Sequence, residues 1–368
     1  MLLVRNDNGA YKQQMRIYRI SEVLFMKIAV LCGGRSCERD VSLVTGAQAA
    51  KALRENGHKV VLLDACLGLD TDIPAAEIFD KELPIENYTI AEASPDVSPF
   101  FERPEGFFGK NVIEICKNAD IVFNALHGGE GENGKVQAAF DLMNIKYTGS
   151  GECGCLLAMD KWLSKNVFRE NGIPVPKAIL LKREDFEKKD FVHPEAGFAF
   201  PCVVKPVSLG SSVGVSIVKN HEQLDSALKK AFEYGSKVLV EEYIKGREFG
   251  VSVVGNQAYP AIEIIPKNGF YDYKNKYQPQ MTCEICPAQI SEALAERMGN
   301  IALKAFAALG LKAYTRFDFI IDAEENIYCL EANTLPGMTP ISLLPQEARA
   351  AGVSFNELLE IIIKESLA

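Results

Sequence analysis

Apolar residues in this chain gather in short runs bounded by glycines and polar turns, and the runs alternate with stretches of helical spacing. Lys27 to Leu31 (KIAVL) runs into Gly33-Gly34 and reads as a buried parallel strand with its turn. Val41 to Leu53 has helical spacing and ends near Gly57; Lys59 to Leu63 is a second buried strand. Strand, glycine turn, helix and strand make a βαβ unit. Residues 68–110 are rich in Pro, Glu and Asp with weak periodicity, which predicts a surface insertion or a loosely structured flap. Regular structure resumes at Asp120 to Asn124 (DIVFN). A glycine-dense loop from His127 to Gly134 follows, then a helix over Val136 to Met143 and the turn Gly149-Ser-Gly151. Residues 26–150 are therefore expected to form a parallel α/β domain.

Beyond Asp160 the texture changes. A helix over Lys161 to Asn171 ends at Gly172-Ile-Pro-Val-Pro176. Phe200 to Lys205 and Val215 to Val218 read as strands joined by the small-residue loop Gly210 to Gly214, a hairpin and not a strand–helix crossover. Gln223 to Phe232 is a helix and Val238 to Glu242 another strand. Further strands are expected at Glu248–Val254, Ala261–Ile265, Arg316–Ile321 and Ile327–Glu331. A helix runs from Ser291 to Leu309, and another near Phe355–Lys364 closes the chain. The organisation predicted is a central subdomain over 151–240 and a C-terminal one over 241–368. Residues 1–25 are expected to be an extension without a fold of its own, since the first strand starts directly after Met26.

Composition narrows the functional classes. With 368 residues, 48% of them hydrophobic, the chain has material for two or three buried cores. A formal net charge of −9 and no basic run argue against nucleic-acid or anionic-membrane partners. No stretch approaches the ~18 apolar residues of a membrane span. Many of the ten cysteines, such as Cys32, Cys202 and Cys329, lie inside apolar strands where they act as small hydrophobes. Cys283 and Cys286 have C-x-x-C spacing but no second pair or histidine cluster at zinc-finger distance. Reduced thiols in a reducing compartment, the cytoplasm, fit best.

Four segments are candidates for carrying chemistry. In Ser208 to Gly214, small residues let backbone N–H groups turn toward an anion, with Lys205 on the preceding strand placed to reach a phosphate. It is not a Walker A loop, because G-K-[ST] is missing and a strand follows; glycine–serine hairpins also occur without ligands. On the strands of Arg316-Phe-Asp318 and Glu331-Ala-Asn333, alternation puts each outer pair on one face. Two carboxylates and an amide oxygen suit a hard cation, unless they line a solvated sheet face. Asn333 to Thr339 follows as a turn-rich loop with Pro336-Gly337, able to aim N–H groups at an oxyanion. Glu241 to Glu248 is either a charged hinge or a place for an adenine edge and ribose.

Together these segments resemble the D-alanine–D-alanine ligase family of the ATP-grasp superfamily. The matching motifs run from Lys27 to about Phe355. They are Gly33 to Ser42 (GGRSCERDVS), the His127 loop, Tyr147 to Gly151, Met159-Asp-Lys161, Lys205-Pro206 with Gly210 to Gly214, Phe270-Tyr-Asp-Tyr with Lys276-Tyr277, Arg316 to Asp318, and Glu331 to Thr339. Each is weak alone; eight in order are specific. The resemblance implies an N-terminal parallel α/β domain followed by a two-subdomain ATP-grasp fold.

It also implies site roles. Glu38, with Ser211 and Tyr277 in a hydrogen-bonded triad, pairs with the ammonium of the first D-alanine. Lys161 and Lys205 bind ATP phosphates beside Ser212, with Glu241, Glu242, Tyr243, Ile244 and Glu248 around adenosine. Asp318, Glu331 and Asn333 hold two magnesium or manganese ions. Arg316 and the backbone of Gly337 stabilise the tetrahedral intermediate, while Lys276, Ser342 and Leu343 anchor the second substrate's carboxylate. A loop over Tyr271 to Met281 closes the site. His127 is either a substrate contact or a structural hydrogen-bonding residue. A homodimer is implied as well.

The chain departs from the family pattern at Asn133, where Asp is usual, at Leu335, and at Pro340-Ile341. The insertion over 68–110 is longer than in compact members. None of these removes Asp318, Glu331, Asn333 or Arg316, but acceptor choice stays open between D-alanine, D-lactate and D-serine. The rival of another class is a non-catalytic ATP-binding module, which has no need of an oxyanion arginine.

Overall fold

The structure, a computed structural model, describes residues 4–5, 11–12, 25–188, 199–267 and 281–368. Near the start, β1 (Val4–Arg5) and β2 (Tyr11–Lys12) pair antiparallel, so the expected featureless extension contains a short ladder. The first domain is built on a parallel sheet, β3 (Lys27–Cys32) flanked by β4 (Lys59–Asp64) and β5 (Ile121–Asn124), in the order β4-β3-β5. Ile28 to Leu31 are fully buried, as a central parallel strand covered on both faces must be. The covering helix Arg39–Glu55 presents Ala47, Ala49, Ala50 and Ala52 to the core. Small side chains let it lie close: a Cβ on Gly46 would stand 2.5 Å from the Cys32 Cβ.

The second unit is an antiparallel sheet of β6 (Ala178–Lys182), β7 (Cys202–Pro206), β8 (Ser216–Val218) and β9 (Lys237–Glu242), in the order β6-β9-β7-β8. β7 and β8 form the expected hairpin, antiparallel with Val204 opposite Ser216. The helix His221–Phe232, capped by the Asn220 side chain, buries Leu224, Leu228 and Phe232 against this sheet.

The third unit is antiparallel too. Along it run β10 (Arg247–Val254), β11 (Gln257–Ala258), β12 (Ile262–Pro266), β13 (Thr282–Ile285), β14 (Tyr314–Ile321) and β15 (Ile327–Asn333). The order is β13-β12-β10-β14-β15, with β11 on β10. The helix Glu292–Ala308, capped by Ser291, covers one face.

Packing crosses the sequence boundaries expected at 150 and 240. Ala158 and Phe168, from the helices Glu152–Met159 and Lys161–Glu170, lie in the core of the β10–β15 sheet and not in that of the second unit. The last helix, Phe355–Leu367, opens with a Ser354–Glu357 capping box and buries Leu358, Leu359, Ile361, Ile362 and Ile363 in the core of the first domain. Elements beyond the pattern reading include β6, β11, β13, and the helices Val112–Asn118, Glu152–Met159, Arg183–Glu187 and Leu343–Ala350. The last contains Pro345, tolerated because it falls in the first turn, where no intrahelical N–H bond is needed. The His127 loop holds a single helical turn, Gly129–Glu132.

Candidate active site

The site lies where the three units face one another, and each side chain is delivered by the end of an element. Glu38 is the N-cap residue of the helix Arg39–Glu55, reached through the Gly33-Gly34 turn, where both glycines have positive φ. Its carboxylate accepts a 2.5 Å hydrogen bond from Ser211 Oγ, on the β7–β8 loop. Ser211 and Ser212 both sit in the left-handed region, at φ 52° and 57°. That conformation is uncommon outside glycine and held here by the surrounding loop. Cβ atoms on Gly128 or Gly210 would come within 2.6 and 2.7 Å of Glu38 Oε2, so glycine is what lets two loops close on this carboxylate.

His127 and Glu132 tie the glycine loop to the segment after β15. The Leu335 carbonyl can only accept, so His127 Nδ1–H donates to it at 2.8 Å, leaving Nε2 to accept from the Thr45 hydroxyl at 3.0 Å. Burial holds the imidazole below its ordinary pKa, which keeps it neutral. With both nitrogens engaged by the protein, His127 faces the cavity as a bridge between segments. Glu132 accepts from Leu335 N–H at 3.0 Å and Gly128 N–H at 3.1 Å. Burial, and after it the Glu38 charge, push its carboxyl up to about 7.

The register of β14 on β15 sets Asp318 opposite Glu331 and Arg316 opposite Asn333, so four functional groups converge on one patch. Arg316 forks onto Asp318, with Nε donating to Oδ1 at 2.7 Å and a terminal nitrogen to Oδ2 at 3.0 Å. The Asn333 amide donates to Asp318 Oδ2, also at 3.0 Å. Lys161, held at a helix start by the Asp160 cap, lies 3.1 Å from Glu331 Oε2 and donates to the Leu209 carbonyl at 2.7 Å. Ser342 turns back under Gly337, its Oγ accepting from Thr339 N–H at 3.1 Å.

Two cavities open on this patch. The larger, about 480 Å³, is lined by Glu38, His127, Ser211, Arg316, Asn333, Gly337, Ser342 and Leu343. The smaller, about 170 Å³, is lined by Lys205, Ser212, Glu241, Glu242, Tyr243, Ile244, Glu248 and Asp318. Lys161, Leu209 and Glu331 belong to both. Of the residues named from sequence, only Lys276 and Tyr277 are not seen in these walls: with the loop 271–281, apart from Met281, they lie outside the described residues.

Two buried charged residues escaped the sequence reading, Lys165 and Glu347. Lys165 is fully buried, 2.9 Å from Glu241 Oε1, while Lys205 holds Oε2 at 2.7 Å. Burial alone would raise the Glu241 carboxyl, but the two ammonium groups outweigh it and hold it below its usual range. Burial likewise lowers Lys165, partly offset by Glu241. A signal did exist: a lysine four residues after Lys161, on the face shared with Ser164 and Phe168, belongs to the buried side of its helix. Glu347, fully buried in the helix Leu343–Ala350, accepts from Ser252 N–H at 2.8 Å, and burial pushes it up to about 8. Arg39 pairs with Asp64 and stacks on Phe100.

Residues 27–150 match the family model described as D-ala D-ala ligase N-terminus, and residues 167–364 that of the D-ala D-ala ligase C-terminus. The chain belongs to the D-alanine–D-alanine ligase family. The D-alanine–D-alanine ligase of Pediococcus pentosaceus is 43% identical over 92% of this chain and 97% of that protein. Among solved structures, the Bacillus anthracis D-alanine–D-alanine ligase complexed with ATP superposes with a TM-score of 0.71 at 31% identity, covering 93% of this chain and 97% of that one. The VanG D-Ala:D-Ser ligase of Enterococcus faecalis gives 0.74 at 28% identity, covering 93% and 100%. For a member of the D-alanine–D-alanine ligase family, the insertion 68–110 and the buried Lys165 and Glu347 are the parts its motifs did not foretell.

Among the described residues, no group of three or more His, Cys, Asp or Glu side chains is arranged for a metal ion. Asp318 lines the smaller cavity, Asn333 the larger and Glu331 both, and their oxygens would make a smaller hard-donor set. Such a set suits magnesium, which takes one or two carboxylates and fills its other positions with phosphate oxygens and water.

Proposed function

We propose that this protein is an ATP-dependent ligase that joins two D-alanine molecules into D-alanyl-D-alanine, releasing ADP and phosphate. The observation that carries the reading is the meeting of two cavities at Lys161 and Glu331: one offers lysines and acidic groups for a nucleotide, the other a carboxylate for an ammonium and an arginine for an oxyanion. Family membership and the ATP complex of the Bacillus anthracis relative support it.

A carboxylate is a poor acyl donor. ATP phosphorylates a carboxylate oxygen of the first D-alanine, giving an acyl phosphate and ADP. Glu38, oriented by Ser211, holds that molecule's ammonium. Lys161 and Lys205 offset phosphate charge, and Glu241 orients Lys205 while the adenosine lies along Glu242, Tyr243, Ile244 and Glu248. Asp318, Glu331 and Asn333 would hold two magnesium or manganese ions, which when bound supply further neutralisation of phosphoryl charge. The free amine of the second D-alanine, its carboxylate at Ser342, Leu343 and Lys276, attacks the acyl carbon. Arg316 and the Gly337 N–H face the oxyanion until phosphate leaves.

We further place the enzyme in the cytoplasm, as a homodimer supplying dipeptide for peptidoglycan. All ten cysteines are described and unpaired, in keeping with a reducing compartment; among the described residues no helix is long and apolar enough to cross a membrane. The test is phosphate release that requires ATP and D-alanine together, with D-alanine, D-lactate and D-serine then offered in competition and products identified by mass. No release with both substrates present refutes ligation, and a dominant ester or D-alanyl-D-serine product reassigns the acceptor.

A further inference from the structure

The insertion 68–110 has no part in the reaction just described, yet it reaches the substrate cavity. Ile90 lines that cavity together with Glu38, Val41 and His127. The strap is pinned around it. Ala91 N–H donates to Asp40 Oδ2 at 3.3 Å and Ser94 Oγ to the Cys37 carbonyl at 2.7 Å, so both bonds land on residues flanking Glu38 and Arg39. On the other side of Ile90, Lys51 donates to Asn87 Oδ1 at 2.6 Å. Farther along, Phe100 and Phe101 lie under the guanidinium groups of Arg39 and Arg35, at 4.3 and 4.5 Å. A segment of weak periodicity is thus fastened at several points to the helix that carries Glu38.

We propose that Ile90 is a specificity-determining residue, which with Val41 forms the apolar wall against the side chain of the first amino acid. This rests on the ligase reading above, in which Glu38 holds that molecule's ammonium. Once the ammonium is anchored, the side chain has to turn toward the neighbouring walls. The bond from Ala91 to Asp40 holds Ile90 beside the same helical turn that carries Val41. The wall admits a methyl group and resists longer chains, and one methylene against a fitted apolar wall is worth about 10–200-fold in discrimination. Ile90 is partly buried and outside the core clusters, so its replacement spares the fold.

The experiment uses the full-length enzyme with D-alanine competing against D-2-aminobutyrate and D-norvaline. Mass fragmentation of the dipeptides reports which amino acid took the first position and which the second. Ile90→Ala should raise the first-position preference for the longer amino acids over D-alanine at least tenfold, leaving second-position preference and melting temperature unchanged. Ile90→Phe should narrow the site and raise the first-position KM for D-alanine. An unchanged first-position ratio in Ile90→Ala, with a parent that makes D-alanyl-D-alanine, overturns this inference alone. Equal shifts at both positions overturn it too, since they mark general loosening. A parent that makes no dipeptide overturns the ligase reading, and this inference with it.

Discussion

At the scale of single residues, the site is a set of charges arranged so that each has a partner within reach. Asp318 receives Arg316 and Asn333, Glu331 faces Lys161, and Glu241 stands between Lys165 and Lys205. Buried charge is tolerated only on these terms. Glu331 belongs to both cavities, and in the ligase reading it would help Asp318 and Asn333 hold the magnesium or manganese ions. Glu331→Gln is therefore expected to abolish ligation with little effect on folding. Phosphate release and the far-ultraviolet dichroism of the purified variant check this, and turnover near the parent rate would remove Glu331 from the reaction. Residue types and spacing made Arg316, Asp318, Glu331 and Asn333 legible, because carboxylates on two otherwise apolar strands need a reason. Lys165 stayed hidden because its carboxylate partner lies 76 positions along the chain, a pairing that helical spacing alone does not specify.

Among elements, close approach and buried acids set the constraints. Alanine normally stabilises a helix by ~1 kcal/mol over glycine. At Gly46 the sign should reverse, because the new Cβ would meet the Cys32 Cβ at 2.5 Å and overpacking costs ~1–3 kcal/mol. Gly46→Ala should thus lower stability by on the order of 1 kcal/mol, read as a lower urea midpoint. Glu347 gives a pH signature. Its folded carboxyl is raised by burial to about 8 from an ordinary value of 4.5. The folded state therefore holds the proton more tightly, and the associated stability, present below about 4.5, is lost as pH rises through about 8. Glu347→Gln keeps an acceptor for Ser252 N–H and cannot ionise. Calorimetry from pH 5.5 to 8.5 should find the melting temperature of the parent falling, relative to the variant, as pH rises. Parallel curves would mean that Glu347 keeps one protonation state throughout.

For the molecule as a whole, the last helix closes the chain back onto its beginning. Phe355–Leu367 buries five aliphatic side chains in the first core, and Glu360 accepts from Asn56 at 2.6 Å and pairs with His58 at 2.9 Å. At ~1.5–3 kcal/mol for each buried side chain, the helix contributes on the order of 10 kcal/mol. That is as much as the whole stability of a typical domain, ~5–15 kcal/mol. Deleting residues 355–368 should yield unfolded or aggregated protein, whereas deleting residues 1–25 should leave the melting temperature and activity unchanged; a soluble, active C-terminal deletion would refute this account of the core. Sequence by itself determined the parallel α/β character of the first domain, the β7–β8 hairpin, and the motifs that line both cavities. Those are local properties: periodicity, glycine turns, and residue types brought onto one face by strand alternation. Tertiary structure alone decided that residues 152–170 join the third core, that the last helix serves the first, that His127 spends both nitrogens on the protein, and that the strap brings Ile90 to the cavity. Each of these depends on contacts between distant segments, whose partners are selected by packing and hydrogen-bond geometry and leave no period in the chain.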